Sequence, residues 1–155
     1  MDTAERQALI ARYKAGPAAV RAALAGATEA ALDARGNGWT AREVVHHLAD
    51  AETRGATRLR MLLAEDQPVI PAYDSDDYAG ALHYDRPIAS ALAVLEAVHR
   101  DTGELLDRLI DAEWARAGTH TTVGPYAVTD WLRMYAAHTH DHAEQIRRAL
   151  GVAGQ

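Results

Sequence analysis

The sequence predicts an all-α protein, a four-helix bundle with a long connection between its second and third helices. Three observations carry this. Alanine supplies 34 of the 155 residues and Lys14 is the single lysine beside many arginines, and alanine and arginine are both strong helix formers. Four long segments repeat apolar residues at helical spacing. Glycine, proline and Asx clusters separate those segments. Amphipathic helices of this length need one another to bury their stripes, and a bundle is the simplest way to do so.

The first helix is predicted over about Thr3–Leu24, with Leu9, Ile10, Tyr13, Val20, Ala23 and Leu24 as its apolar positions and Pro17 expected to kink or divide it. A short helical turn around Thr28–Ala34 precedes the break Gly36-Asn37-Gly38. The second helix has the clearest start. Thr40-Ala41-Arg42-Glu43 has the form of a capping box, and Val44, Leu48, Ala51, Leu59, Leu62 and Leu63 carry the stripe to about Ala64. Trp39, just before the cap, is placed to pack onto the first turn. Mixed signals run from Asp66 to Tyr84, where Pro68, Pro71 and Asp74, Asp76 and Asp77 allow a helical turn around Asp76–Ala81.

Pro87 suits the first turn of a third helix, Pro87–Ile110, whose stripe includes Ile88, Leu92, Leu95, Val98, Leu105 and Leu109. Gly118–Pro125 reads as a small hairpin or a loop. The fourth helix is expected to be capped by Thr129, with Asp130 in its first turn, and to end at Leu150 before Gly151.

Composition narrows the function. The length fits a single domain spanning residues 1–155, and 48% hydrophobic with 25% charged residues supports a packed core. A net charge of -6 with scattered basic residues argues against nucleic acid and against anionic membrane surfaces. The absence of cysteine excludes disulfides, thiolate metal sites and a cysteine nucleophile. The charged N-terminus has no apolar core of a signal peptide, and no segment approaches the ~20 apolar residues of a membrane span. A cytoplasmic protein acting on a small molecule is the expectation.

Eight histidines are many for this length. On a helical wheel, His142 lies in the apolar face of the fourth helix with Trp131, Leu132, Tyr135, Ile146, Ala149 and Leu150. His138, four residues earlier, stacks beside it, while His140 projects to the other flank. On the second helix His47 sits at the edge of the stripe and His46 points away. His47, His138 and His142 therefore form a candidate three-histidine site for one divalent metal with open positions. A lone histidine at a stripe edge is more often an ordinary packing residue; a pair four residues apart on an apolar face is harder to dismiss. The glutamate of an HExxH motif is missing, so a zincin-type protease is not indicated.

Trp39-Thr40-Ala41-Arg42-Glu43-Val44-Val45-His46-His47-Leu48-Ala49-Asp50 resembles the helix-2 signature of the DinB/YfiT-like superfamily. His138, His142, Gln145 and Ile146 resemble its helix-4 signature, and Pro71-Ala72-Tyr73-Asp74 a segment of the YfiT branch. These features keep order and spacing over about residues 5–150. The resemblance implies a DinB-like bundle with a divalent metal on His47, His138 and His142. It also implies a homodimer, and a place among thiol S-transferases or metal-dependent hydrolases.

Three readings follow. The first is a metal-dependent transfer of a low-molecular-weight thiol, as co-substrate, to an electrophile, with zinc, nickel or iron as the metal. The second is amide or ester hydrolysis, which needs a base that no carboxylate clearly supplies. The third is a metal-binding bundle without catalysis. Asp50, one turn beyond His47, is a candidate partner for an imidazole or a solvated residue; Tyr73, His140, Arg54 and Arg58 are candidates to line a substrate groove, each more simply read as surface or packing.

Overall fold

The computed structural model of the chain describes residues 1–36 and 38–152. Asn37, within the predicted glycine break, and residues 153–155 lie outside the described residues. Four long helices build the bundle: α1 (Thr3–Ala23), α3 (Ala41–Ala64), α5 (Ala89–Leu106) and α7 (Val128–Val152). Short elements fill the connections: α2 (Glu29–Leu32), β1 (Val69–Ile70), α4 (Ser75–Ala81), α6 (Asp111–Trp114), β2 (Ala117–His120) and β3 (Gly124–Ala127). Both α1 and α3 pack against α5 and α7, so the first two long helices of the chain stand across the bundle from each other.

Local chemistry explains the clear boundaries. Thr40 accepts the Glu43 amide and the Glu43 carboxylate accepts the Thr40 amide, so the predicted capping box is formed. Thr28 caps α2, and Asp74 accepts two amides at the start of α4.

Pro17 neither divides nor ends α1. Lacking an N–H, it leaves the carbonyl of Tyr13 without its helical donor. His99 Nδ1 donates to that carbonyl at 2.9 Å.

The third and fourth long helices differ from expectation. Helix α5 begins after Ile88, with Pro87 outside it, and stops at Leu106; Glu113 then accepts the Ile110 amide to start α6. Its buried stripe is Ala91, Leu95, His99, Thr102, Gly103 and Leu106, whereas Ile88, Leu92, Val98, Leu105 and Leu109 are only half-buried. Helix α7 follows β3 directly, so Thr129 is already helical, and Asp130 accepts the Ala127 amide at 3.0 Å. Gly151 lies inside this helix and does not stop it.

The hairpin alternative for 118–125 is the one found. β2 pairs antiparallel with β3, from Ala117 opposite Ala127 to His120 opposite Gly124. The parallel pairing of β1 with β2, Val69 opposite Thr119, was not anticipated. Two residues are too few to show a strand period.

The apolar interior has two halves. One gathers Ile10, Tyr13, Leu59, Leu62, Leu106, Trp131, Leu132 and Tyr135; the other gathers Val20, Val44, Leu48, Leu95, Ala143 and Ile146. In sequence along each long helix, Gly16, Glu52, His99, Thr102 and Thr139 fall between these halves, and all are buried. The bundle thus carries a polar layer across its middle.

Candidate metal centre

The structure brings His47 of α3 together with His138 and His142 of α7. Their ring centroids lie 4.7 Å (His47–His142), 4.6 Å (His138–His142) and 5.6 Å (His47–His138) apart. One ring nitrogen from each lies within 4.8 Å of the others. The i, i+4 spacing on α7 stacks one pair, and the α3–α7 packing delivers the third ring.

Hydrogen bonds set the tautomers of two rings. His142 Nδ1–H donates to Gln145 Oε1 at 2.7 Å, and His138 Nδ1–H donates to Glu52 Oε1 at 2.8 Å. Each ring therefore keeps its Nε2 lone pair free for a metal. His47 has a buried Nδ1 with no partner among the described residues. A buried imidazole nitrogen left unpaired is costly, and a divalent ion would satisfy it. The donor set fits such an ion: three neutral nitrogens, as in three-ligand sites with an open position.

Electrostatics disfavour the charged form of two of the three rings. Burial first, then the neighbouring His142 and His138, push the His47 pKa down to about 3, against an opposing pull from Glu52. Burial, then His138, also hold His142 below the ordinary histidine range. Ligation requires the unprotonated form, which is the form these shifts favour for His47 and His142 near neutral pH.

Trp39 covers the site from the segment before α3. Its ring meets His47 edge-on at 5.0 Å, and its indole N–H donates to Asp76 Oδ1 at 3.1 Å. An opening of about 460 Å³ leads to the histidines, lined by Gly38, Trp39, Ser75 and Gln145. Among the described residues, no carboxylate lines it.

Glu52 was missed by the sequence reading. It is fully buried in the polar layer and accepts from His138 Nδ1 and from the Thr139 hydroxyl at 3.1 Å. Its other oxygen lies 3.2 Å from His99 Nε2. His99 Nδ1–H serves the Tyr13 carbonyl, and its Nε2 also lies 3.3 Å from the Thr139 hydroxyl oxygen. Burial raises the Glu52 pKa, but the bonds from His138 and His99 outweigh it and hold the carboxyl below its usual range. Gly16 makes room for this layer: a Cβ there would stand 2.9 Å from Thr139 Cβ and 3.0 Å from His99 Cε1.

The other candidates fall elsewhere. His46 does not face solvent; it is buried, stacked on Tyr84 at 5.5 Å, with Nε2–H donating to the Arg86 carbonyl at 2.9 Å. The connection between α3 and α5 covers it, and burial depresses its pKa. Asp50 binds no imidazole and instead accepts the Tyr84 hydroxyl at 2.7 Å. His140 lies at the α1–α7 contact, where Nε2–H donates to the Arg12 carbonyl at 2.9 Å. Tyr73 stacks under Arg54, whose guanidinium is 4.3 Å from the ring centroid.

Comparison with known proteins points to one family and one fold. The family model described as "DinB superfamily" matches residues 12–146. A "Putative metal-dependent hydrolase" of Geobacillus thermodenitrificans is 33% identical over 144 residues, 88% of this chain and 79% of that protein. A relative of the same description from Oceanobacillus iheyensis is 34% identical over 112 residues, 72% of this chain, and the match spans 65% of its own length. Among solved structures, YfiT from Bacillus subtilis superimposes with a TM-score of 0.91 at 28% identity, covering 99% of this chain and 90% of that one. YfiT is described as "a probable metal-dependent hydrolase with an unusual four-helix bundle topology".

Proposed function

This chain belongs to the DinB superfamily, and from that premise we propose that it is a metal-dependent enzyme transferring a small thiol to an electrophile. His47, His138 and His142 are the ligands of one divalent ion, with zinc, nickel or iron as the metals three neutral nitrogens suit. When bound, the ion supplies Lewis acidity that favours the deprotonated, nucleophilic form of a thiol.

The chain's own residues prepare the site for that role. Gln145 and Glu52 fix two ligand rings with their lone pairs turned outward from the Nδ1 bonds. Trp39 excludes water from one side of His47. Ser75 and Gln145 leave the mouth polar and uncharged.

The observation that carries the thiol reading is the wall without a carboxylate. Hydrolysis needs a group that takes a proton from attacking water. Here Glu52 serves His138 and Thr139, Asp50 serves Tyr84, and Asp76 serves Trp39. Thiol transfer has no such requirement once the thiol is ionised. Amide or ester hydrolysis is kept as the second reading because the relatives are named as hydrolases.

The test is a panel of cellular thiols with a generic electrophile, run on metal-defined protein beside ester and amide substrates. Turnover that requires both thiol and metal supports transfer. Turnover without thiol, suppressed when thiol is added, supports hydrolysis. A loaded protein that turns over neither is a binding module. The reading includes a homodimer, which sedimentation equilibrium checks.

A further inference from the structure

Two arginines stand on the face of α3 that carries His47. Arg54 is seven residues on and Arg58 eleven, so both lie within about 20° of His47 around the helix, some 10 and 16 Å along it. They share surroundings with the centre: Arg58 Nη1 donates to the Tyr135 hydroxyl at 3.4 Å, and the Tyr135 ring lies 5.8 Å from that of His138.

Their charge is not matched. Arg42, 5% exposed, is held by both Asp33 at 2.6 Å and Glu29 at 2.7 Å. Arg58 is buried almost as deeply, at 7%, yet its partners are neutral: Tyr135 and, at 2.6 Å, the Pro71 carbonyl. Arg54 donates to the Tyr78 hydroxyl at 2.6 Å and stacks on Tyr73 and Tyr78. Among the described residues, no carboxylate comes within 4.0 Å of either guanidinium, and the Nε of each is buried without an acceptor.

The tyrosines do not hide the counter-charge. Burial pushes the Tyr135 hydroxyl up to about 12 and raises that of Tyr73, so both stay protonated. A buried cation beside neutral partners is costly, and an arriving anion recovers that cost.

We propose that Arg54 and Arg58, with Tyr73, anchor a carboxylate of the substrate while its reacting end lies at His47, His138 and His142. Arginine forks match a planar carboxylate in two-point contact. This inference rests on the metal-centre reading, and it adds the chemical class of the substrate.

The experiment titrates cobalt-substituted protein with unbranched ω-mercaptocarboxylates of increasing length and with the matching mercaptoalcohols, following the visible spectrum. The acid should bind at least about tenfold tighter than the alcohol at the length that spans the site. Arg54→Met should erase that preference. Arg58→Lys should weaken it, with far-ultraviolet circular dichroism checking the fold.

Equal binding of acid and alcohol to wild type, or a preference that survives both variants, overturns the subsite while the metal reading stands. If no thiol perturbs the cobalt, the thiol-transfer reading fails, and a second arm decides the subsite. Hexanoate but not hexanol, at fixed ionic strength, should then raise the melting temperature of metal-free wild type and not of Arg54→Met. No shift overturns the proposal.

Discussion

Glu52 and His138 share a 2.8 Å hydrogen bond that joins the buried polar layer of the bundle to its metal-binding face. The imidazole donates from Nδ1, so the carboxylate decides which nitrogen the ring presents outward. Glu52→Gln preserves shape but removes the charge that His138 and His99 face. Metal affinity should fall by about 10- to 100-fold, as is usual when a partner of a ligand histidine is lost. Chelator competition measures this, and an unchanged dissociation constant would sink the assignment.

The three ligands should separate cleanly from their neighbours. Purified protein should take up about one divalent ion per chain, and His142→Ala should abolish uptake. His140→Ala should leave uptake near wild type, because that ring serves the Arg12 carbonyl at the α1–α7 contact. Elemental analysis after dialysis distinguishes these outcomes. Equal loss in both variants would mean that the site is not built from the convergent rings.

Much of this was legible in the sequence. Apolar periodicity marked the four long helices, and the Thr40–Glu43 box marked the start of α3. The i, i+4 pair on α7 and the edge position of His47 led to the three rings that the structure assembles. The polar layer was not legible by the same means, since a search for apolar stripes passes over polar residues lying on them. Glu52 follows Leu48 by four, His99 follows Leu95 by four, and Thr139 sits between Ala136 and Ala143. A polar residue at a stripe position on several helices was the available signal. The burial of His46 and Arg42 had no such signal. For His46 it depends on how the α3–α5 connection folds back, and the Asp66–Tyr84 pattern is too mixed to show that; for Arg42 it depends on Glu29 and Asp33 before α3 as well as on the Arg86 carbonyl.

Acid should destabilise the metal-free protein earlier than its carboxylates alone would. His47, His142 and His46 are all held below the ordinary histidine range, so between about pH 6.5 and the folded values the unfolded chain binds more protons. Stability is full above about pH 6.5 and declines as pH falls toward the His47 value of about 3. Glu52, Asp33 and Glu96, held below their usual range, add loss of the same sign only as pH drops below about 4.5. Urea midpoints between pH 7.5 and 5 isolate the histidine contribution. A flat midpoint there would contradict it. The stabilisation added by metal should shrink over the same window, because ligation needs neutral rings.

Gly55 gives a test of the packing that supports the centre. A Cβ at this position would lie 2.3 Å from Tyr135 Cε1, and the Gly55 carbonyl accepts the Trp131 indole N–H at 2.7 Å. Replacing a helical glycine by alanine ordinarily stabilises by about 1 kcal/mol. Here the added methyl must displace an aromatic ring in a packed core, and overpacking of that kind costs about 1–3 kcal/mol. Gly55→Ala should therefore lower stability, and by moving Tyr135, whose ring lies 5.8 Å from His138, it should also weaken metal binding. Gly80, in α4, is the control, because a Cβ there meets no atom within 4 Å. Gly80→Ala should be neutral or mildly stabilising and leave metal affinity alone. If both variants behave alike in thermal denaturation and chelator competition, the close approach of α3 to Tyr135 does not hold the ligand helix in place.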